Sequence, residues 1–452
     1  MQSINPTTEE IIAEYPELNE EQIEQKLALA QRTFVAWKQT SFSERKEKML
    51  KLAQILKDKK REIGEIATKE MGKPITAAIA EVEKCALACE YYAENAETIL
   101  QEEVIKSDAS ESYVRFDPIG IVLAVMPWNF PYWQAFRFIV PAAMAGNVGV
   151  LKHASNVQGC GQMMEKVFLD AGFPEGIFQN LSIGSAKVEA LIRDPRIKAV
   201  TLTGSEYAGK KVAEAAGSEV KKTVLELGGS DPFIVLEDAD MELVASMAPN
   251  GRLQNCGQSC IAAKRFIVHK NIAEEFIANF KNACENYVVG DPMDEKTQMG
   301  PLVNEQSLKE IDRQVQESIA KGAQLVTGGK RIGEKGFFYA PTILGNVKPG
   351  MPAHDEEIFG PVASVIIVES EEEAIRVAND TPFGLGSSIW TRDVAKAKQL
   401  APQIDAGNVF INGIVKSVPS LPFGGTKVSG YGRELSYYGI KEFVNIKTVW
   451  IK

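Results

Sequence analysis

A cysteine and a glutamate, each beside a glycine-containing turn, are the residues of this chain that point most directly to covalent chemistry. Glu226 ends an apolar run in Leu225-Glu226-Leu227-Gly228-Gly229, and Cys260 ends the segment Asn255-Cys256-Gly257-Gln258-Ser259-Cys260. A thiolate is a nucleophile, and a carboxylate held near it can activate water. Together the two residues predict catalysis through a thioester that is later hydrolysed.

Either residue alone would be weak evidence, because an unpaired cysteine is more often a small buried side chain and a glutamate at a strand end is usually solvated. Their combination favours the catalytic interpretation. Cys256 lies four residues before Cys260. Two interpretations stay open for it: a packed thiol, or the partner of Cys260 in a reversible redox lock.

Two other segments carry residues suited to such a site. Pro127-Trp128-Asn129-Phe130-Pro131 holds an amide between two prolines and two aromatic rings, and a rigid amide donor is what an oxyanion site needs. Lys152 ends a predicted strand, at the carboxyl edge where open sheets bind their ligands. It could contact a ribose or a phosphate, and a solvated lysine is the alternative.

A helix N-terminus is the best candidate for a phosphate site. The dinucleotide fingerprint Gly-x-Gly-x-x-Gly is missing after every candidate strand. Instead, Leu202-Thr203-Gly204-Ser205 leads from a strand through a glycine turn into a helix. Backbone N–H groups and a hydroxyl at such a position favour phosphate, although an ordinary strand–helix turn has the same pattern.

Length and charge restrict the classes of function. The 452 residues suit two or more domains, and the net charge of −10 argues against general binding to nucleic acid or anionic membranes. A local basic pocket could still bind a small acidic substrate. No apolar run reaches the ~18 residues of a membrane span, and the N-terminus lacks the regions of a signal peptide.

Cysteine and histidine usage indicates a reducing compartment and no metal. Six cysteines in so long a chain do not resemble a disulfide scaffold, and the three histidines are scattered away from them. We therefore expect a cytoplasmic, metal-free enzyme.

Hydrophobic periodicity predicts helices first and strands later. Residues 20–37 are expected to form an amphipathic helix with Asn19 as N-cap and Gln22 in a capping box. A second helix should run from about Ser43 to Arg61, and Met71-Gly72 should stop the helix that precedes it. The apolar runs 121–126, 148–151, 199–202 and 233–236 are typical of buried parallel strands, which predicts an open α/β sheet of the dinucleotide-binding type.

A second set of strands and a projecting arm complete the prediction. Strands from about Phe266 onward, including 361–368 and 408–412, indicate a second α/β domain. Segments 110–116 and 443–451 alternate polar and apolar residues, so they could form edge strands of an arm for subunit contact.

Taken in order, the motifs resemble those of the NAD(P)-dependent aldehyde dehydrogenases over nearly the whole chain, and most of all the bacterial succinate-semialdehyde dehydrogenases. Besides the four motifs above, the matching segments are Glu357-Ile358-Phe359-Gly360-Pro361, Asn379-Asp380-Thr381-Pro382-Phe383-Gly384-Leu385 and Pro422-Phe423-Gly424-Gly425-Thr426-Lys427-Val428-Ser429-Gly430.

The resemblance implies a role for each catalytic candidate. Cys260 attacks the aldehyde carbon, and the oxyanion is held by the Asn129 amide and the Cys260 backbone N–H. Glu226 activates the water that hydrolyses the thioester. For the cofactor, the resemblance implies contacts from six residues: Trp128, Lys152, Gly204, Ser205, Glu357 and Phe359. Gly204 and Ser205 face the pyrophosphate, Lys152 the adenosine ribose, and Glu357 with Phe359 the nicotinamide ribose.

The resemblance also implies a domain plan. A Rossmann-type dinucleotide-binding domain takes residues 1–99 and 118–228, an α/β catalytic domain takes 229–430, and a small β oligomerisation arm takes 100–117 and 444–452. A homodimer or homotetramer is expected.

One departure from the family pattern concerns the cofactor. After the lysine the family commonly has Pro-x-Glu, whose carboxylate accepts hydrogen bonds from the ribose of NAD, whereas here Ser155 stands in the glutamate's place. Losing a carboxylate removes repulsion against a 2′-phosphate, and Ser155 could donate to it. We therefore expect NADP to be preferred and NAD to be accepted.

A cation in an aromatic segment bears on the substrate. By resemblance to the semialdehyde enzymes, Arg137 could pair with the distal carboxylate of succinic semialdehyde, helped by Ser417, because a guanidinium binds carboxylates in a bidentate manner. A structural salt bridge is the alternative for Arg137.

Three other functions need to be distinguished. An enzyme for other aliphatic or aromatic aldehydes would leave Arg137 unexplained. A CoA-acylating dehydrogenase would not need Glu226. A catalytically silent binding protein would not need Cys260, Glu226, Asn129 and Lys152 together.

Overall fold

The computed structural model describes residues 1–452, beginning with a short hairpin and four helices. Asn19 and Gln22 form the predicted capping box of the first helix, so that prediction is confirmed. The predicted second helix ends earlier than expected, because Lys59 leaves helical geometry and the chain turns so that both resulting helices pack against α4. Gly72, with φ of 80°, ends the next helix as predicted. The elements are β1 (Gln2–Ile4), β2 (Ile11–Glu14), α1 (Glu20–Trp37), α2 (Phe42–Asp58), α3 (Lys60–Met71), α4 (Ile75–Ile99), β3 (Glu103–Val104) and β4 (Glu111–Pro118).

The next part of the chain builds a parallel sheet with its strands in the order β9-β8-β5-β6-β7. Three of the predicted strands are confirmed as β5, β6 and β8. The order reverses between β5 and β8, and such a switch point is where open α/β sheets bind ligands. The elements are β5 (Ile121–Met126), α5 (Trp133–Met144), β6 (Val148–His153), α6 (Gln158–Asp170), β7 (Phe178–Asn180), α7 (Val188–Arg193), β8 (Ile197–Thr203), α8 (Glu206–Ser218) and β9 (Lys222–Glu226).

A second sheet of seven strands follows, in the order β12-β13-β14-β11-β10-β15-β16. It includes β10, so the grouping of 233–236 with the first sheet was wrong. The run is a strand as predicted, but a short apolar run does not encode which sheet it joins. The elements are β10 (Asp231–Val235), α9 (Met241–Leu253), β11 (Ala263–His269), α10 (Lys270–Glu285), α11 (Glu305–Ala320), β12 (Gln324–Thr327), β13 (Thr342–Gly345), α12 (Pro352–Asp355), β14 (Val362–Val368), α13 (Glu371–Asn379), β15 (Gly386–Trp390), α14 (Val394–Leu400), β16 (Asn408–Ile411), β17 (Gly430–Tyr431), α15 (Ser436–Lys441) and β18 (Val444–Ile451).

The end of the chain returns to the first sheet and then leaves it as an arm. β17 pairs antiparallel with β9, placing Gly430 opposite Glu226. Gly430 has φ of 115°, and a side chain there would collide with the Leu225 carbonyl. β18 then pairs with β4, which also pairs with β3, so the two predicted edge strands form one three-stranded sheet. None of the helices combines the length and apolar character needed to cross a membrane.

The site lies where loops of the two larger sheets meet. Loops from the carboxyl ends of β5, β8 and β9 meet segments that precede β11 and β14, and all of them line one cavity. Each sheet has its own hydrophobic core. The cleft between them therefore lies at the switch point of the first sheet.

Candidate active site

Cys260 lies on a tightly held turn after α9. Asn255, Cys256 and Gly257 have φ of 52°, 56° and 70°, and such left-handed geometry in residues other than glycine persists only where the surroundings enforce it. Arg252 supports the turn by donating hydrogen bonds to the carbonyls of Ala263 (3.1 Å) and Ile358 (2.9 Å). The thiol is therefore presented by a backbone that the fold keeps rigid.

A lysine that the sequence analysis missed holds this turn from behind. Lys264 Nζ donates to the carbonyl oxygens of Ser259 (2.8 Å) and Cys260 (2.6 Å), and it lies 3.4 Å from Glu357 Oε1. The sequence signal for such a role is a lysine at the start of a strand, and the structure shows that every residue of this strand, β11, is buried. Lys264 thus links the turn that carries the thiol to the segment that carries Glu357.

The Cys260 thiol differs from the other cysteines in exposure. All six cysteines are unpaired, and Cys260 alone is not fully buried. Its surroundings nevertheless raise its pKa to about 11, chiefly by desolvation, while the charges of Arg137 and Lys264 oppose the shift. The thiol form therefore predominates at neutral pH, and the attack needs a proton to be removed.

The amide of Asn129 has a fixed orientation. Its Oδ1 accepts a hydrogen bond from Gln134 Nε2 (3.0 Å), and its Nδ2 donates to the Gln258 carbonyl (3.1 Å). Asn255 Nδ2 holds the Asn129 backbone carbonyl at 2.8 Å. Because an amide nitrogen carries two hydrogens, one N–H of Asn129 remains to donate to a ligand. Gln134 and Asn255 are supports that the sequence analysis did not identify.

Glu226 is a buried carboxylate without a hydrogen-bond partner. It ends β9 with 2% of its surface exposed, and neither carboxylate oxygen has a partner. Burial raises its pKa well above the ordinary value, and the nearby Glu434 raises it further, while Arg137 and Arg433 act in the opposite direction. An unsatisfied carboxyl with a raised pKa is a candidate general base.

Arg137 occupies the structural salt bridge that the sequence analysis gave as its alternative role. It is buried, its Nε pairs with the Glu434 carboxylate, and its Nη2 donates to Thr203 Oγ1 at 3.1 Å. The guanidinium lies 4.9 Å from the centroid of the Phe423 ring. Only Nη1 is without a partner in the protein, so this is the one nitrogen that remains for a substrate.

Ser417 lies in a different set of contacts from Arg137. Its buried hydroxyl receives hydrogen bonds from Trp133 Nε1 (2.8 Å) and Lys84 Nζ (3.0 Å). Lys84 is a further residue that the sequence analysis missed. Its only local signal is a lysine next to Cys85 and Ala86 on the buried face of α4.

The cofactor candidates lie around the N-terminus of α8. Ser205 caps this helix by accepting from the Ala208 N–H at 3.3 Å. On one side is a cavity of about 650 Å³ that includes Lys152, whose pKa is lowered by burial and which has no ion-pair partner. Ser155 follows β6 in an exposed turn and lines neither this cavity nor the one beyond Ser205.

On the other side of Ser205 is a cavity of about 300 Å³ that brings most of the candidates together. Its lining includes Trp128, Asn129, Gly204, Ser205, Cys260, Glu357 and Phe359. Glu357 accepts from the Gly229 N–H at 3.0 Å, and Phe359 meets Trp128 edge to face at 5.8 Å. A helix N-terminus between two cavities, with an unpaired lysine in one of them, fits a dinucleotide with its phosphates at the helix.

Comparison with known proteins identifies the family. The model of the aldehyde dehydrogenase family matches residues 1–449, and the chain belongs to that family. It is 51% identical over 449 residues to a probable NADP(+) succinate-semialdehyde dehydrogenase of Synechocystis sp., and 50% identical over 452 residues to an NADP(+) succinate-semialdehyde dehydrogenase of Mycobacterium tuberculosis; each match covers 99% of both chains.

A solved structure gives the same result for the fold. The succinic semialdehyde dehydrogenase of Streptococcus pyogenes, in complex with NADP+, superposes with a TM-score of 0.98 at 40% identity, covering 100% of this chain and 99% of that one. The family and the α/β fold predicted from the sequence are confirmed.

Proposed function

We propose that this enzyme oxidises succinic semialdehyde to succinate and prefers NADP over NAD. The observation that carries the proposal is that Cys260 and the oriented amide of Asn129 line one cavity with the residues expected to hold the nicotinamide. Relatives at about 50% identity that are named as NADP(+)-dependent enzymes for this aldehyde support the choice of substrate and cofactor.

The first half of the reaction forms a bond between sulfur and carbon. Cys260 Sγ gives its proton to solvent water and attacks the aldehyde carbon. The resulting oxyanion accepts hydrogen bonds from the remaining N–H of Asn129 and from the Cys260 backbone N–H, which makes no hydrogen bond within the protein. Donors fixed before the reaction stabilise the developing charge without reorganising. Trp128, Glu357 and Phe359 would hold the nicotinamide end of NADP, which would supply the hydride acceptor needed to leave a thioester on Cys260.

The second half of the reaction hydrolyses this thioester. Glu226 removes a proton from water, the hydroxide attacks the acyl carbon, and the Cys260 sulfur leaves as the carboxylic acid is released. A raised pKa suits this task, because a base is most effective when its pKa lies near the working pH. The unpartnered oxygens of Glu226 are free to accept that proton.

The cofactor preference rests on the turn after β6. Lys152 at the end of β6 is assigned to the adenosine ribose, and the exposed hydroxyl of Ser155 to the 2′-phosphate. With Gly204 and Ser205 at the pyrophosphate and with Trp128, Glu357 and Phe359 beside the nicotinamide ribose, these residues make up the proposed cofactor site.

The test of the cofactor proposal compares kcat/KM for the two cofactors. We expect NADP to be favoured in the wild-type enzyme, and Ser155→Glu to lower kcat/KM for NADP while sparing NAD. Ser155→Ala is the matched control, because it removes the hydroxyl without adding a charge. A strong preference of the wild-type enzyme for NAD would refute the proposal.

The substrate is tested with a panel of aldehydes. Succinic semialdehyde should give a higher kcat/KM than butanal, which has the same four-carbon chain without the carboxylate, and turnover should not require CoA. Arg137→Ala should raise the KM for succinic semialdehyde more than that for butanal, with Ser417→Ala acting in the same direction. Because Arg137 also pairs with Glu434, the ratio between the two aldehydes is the informative quantity. Equal effects would leave Arg137 with a structural role alone.

We infer a cofactor domain formed by residues 1–99 and 118–228, a catalytic domain formed by 229–430, and an arm formed by 100–117 and 444–452. The arm exposes Val104, Ile446 and Trp450, and a subunit contact would cover them, as in a homodimer or homotetramer. The unpaired state of all six cysteines supports a cytoplasmic enzyme.

A further inference from the structure

We propose that Lys84 supplies the positive charge that selects aldehydes carrying a distal carboxylate. The proposal rests on the proposed function, since it names a further residue that recognises succinic semialdehyde. Lys84 on α4 donates to Ser417 Oγ, 333 positions later in the chain, at 3.0 Å. Its ammonium also lies 4.2 Å from the centroid of the Trp133 ring.

Lys84 has no ion-pair partner, unlike the charged residues near it. Arg137 pairs with Glu434, and Lys73 pairs with Glu81, in each case with both partners buried. Lys84 forms no salt bridge, and its contacts are a hydroxyl and an aromatic ring. A largely desolvated ammonium is costly without a negative partner. An anionic ligand would supply the partner that the protein does not.

The hydroxyl of Ser417 presents a donor at the same place. Its oxygen already accepts hydrogen bonds from Trp133 Nε1 and Lys84 Nζ. Because a hydroxyl has two acceptor positions and one hydrogen, the Ser417 O–H is left to donate, and it has no acceptor in the protein. Lys84 and Ser417 therefore offer donors to a ligand, and no protein carboxylate competes for them.

Arg137 connects the cluster to the cavity that holds Cys260, because its Nη2 donates to Thr203 Oγ1 at 3.1 Å and Thr203 lines that cavity. Ser417 and Phe423 line a cavity of about 270 Å³, and Arg137 stacks on Phe423. Arg137 therefore contacts a residue of each cavity, Phe423 beside Ser417 and Thr203 beside Cys260. Burial, with help from Arg137, lowers the pKa of Lys84 to about 8, so Lys84 is mostly protonated at neutral pH.

The test uses Lys84→Met, which keeps the length of the side chain and its contact with Trp133 but removes the charge. Losing a charge-assisted hydrogen bond should raise the KM for succinic semialdehyde about 10- to 100-fold, while kcat changes little and the KM for butanal stays the same or falls. Lys84→Arg should restore most of the affinity for succinic semialdehyde.

Lys441→Met is the matched control. Lys441 also lies over an aromatic ring, 4.1 Å from the centroid of Phe116, but it pairs with Glu103 on the arm. This variant should keep the wild-type ratio of the two aldehydes. Binding without turnover gives a second readout: succinate should raise the melting temperature of the wild-type and Lys441→Met proteins, and not that of Lys84→Met.

The outcomes separate this inference from the proposed function. If the wild-type enzyme does not prefer succinic semialdehyde to butanal, the proposed function itself fails. If the preference exists and Lys84→Met keeps it, or loses activity equally on both aldehydes, the assignment of Lys84 is wrong while the proposed function stands.

Discussion

Two glutamates of this enzyme are both buried but differ in whether their carboxyl oxygens have hydrogen-bond or ion-pair partners. Glu81 and Glu226 are exposed by only 4% and 2%. Glu81 Oε1 accepts from the backbone N–H groups of Tyr132 and Trp133, both at 2.9 Å, and its Oε2 pairs with Lys73. Neither oxygen of Glu226 has a partner. A satisfied buried carboxylate maintains the fold, whereas an unsatisfied one costs stability and indicates a chemical task.

Both glutamates nevertheless adjoin segments that line the cavity of Cys260. Glu81 reaches from α4 to the backbone at the start of α5, directly after the loop that carries Asn129. Lys73 lies 3.8 Å from the centroid of the Phe130 ring in the same loop. The pair therefore fixes the loop that carries Asn129, whereas Glu226 directly precedes Leu227 and Gly228, which line the cavity of Cys260.

The largest expected effect comes from Glu226→Gln. Removing a general base should slow steady-state turnover on the order of 10²- to 10⁴-fold, because the thioester forms and is not hydrolysed. Rapid mixing with NADP should still show a burst of reduced cofactor close to one per active site. The melting temperature should not fall, because a buried carboxyl without a partner is replaced by a neutral amide. Loss of the burst would show that Glu226 also has an earlier role.

The opposite pattern is expected for Glu81→Gln. Breaking a buried ion pair leaves Lys73 uncompensated, so the free energy of unfolding should fall by about 3–5 kcal/mol, measured by denaturant titration. The burst and the steady-state rate should fall together, because the oxyanion donor is misplaced. The double variant Lys73→Met/Glu81→Leu is the control and should recover part of the stability. An unchanged stability in Glu81→Gln would contradict the structural role of the pair.

A third buried group, His153, makes the stability of the protein depend on pH. Its Nδ1 accepts from the Ala154 N–H at 3.0 Å, and its Nε2 lies 3.0 Å from the Pro131 carbonyl. Burial lowers the pKa of His153 from 6.5 to about 4. Below pH 6.5 the unfolded chain therefore binds a proton that the folded protein excludes.

Stability should consequently fall as the pH is lowered from 6.5 towards 4, by on the order of 3 kcal/mol from this residue. The measurement is the free energy of unfolding against pH for the wild-type protein and His153→Gln. The difference between the two curves isolates His153 from the carboxylates that titrate in the same range. Parallel curves would show that His153 is not held neutral.

The smallest effect is expected for Gln134→Ala, which leaves Asn129 in place and removes the hydrogen bond to its Oδ1. A single buried hydrogen bond is worth about 0.5–1.5 kcal/mol net, so kcat should fall about 2- to 10-fold with little change in KM. Asn129→Ala should lose on the order of 10²- to 10³-fold. If kcat falls equally in both variants, Gln134 does more in catalysis than position Asn129.

Local patterns in the sequence were sufficient for much of the fold. The capping box at Asn19 and the strands β5, β6, β8, β14 and β16 were predicted because they depend on residues close together in the chain. The break at Lys59 was not, because it depends on how two helices pack against α4. The placement of β10 in the second sheet likewise depends on pairing with strands far along the chain.

The sequence by itself determined the family, the motif residues Cys260, Glu226 and Asn129, and the helix N-terminus at Ser205, because each is carried by a short segment. Only the tertiary structure decided that Arg137 pairs with Glu434 and that Lys84 meets Ser417. The physical reason is that a charge is defined by its counter-ion and its solvation, and both are supplied by residues hundreds of positions away.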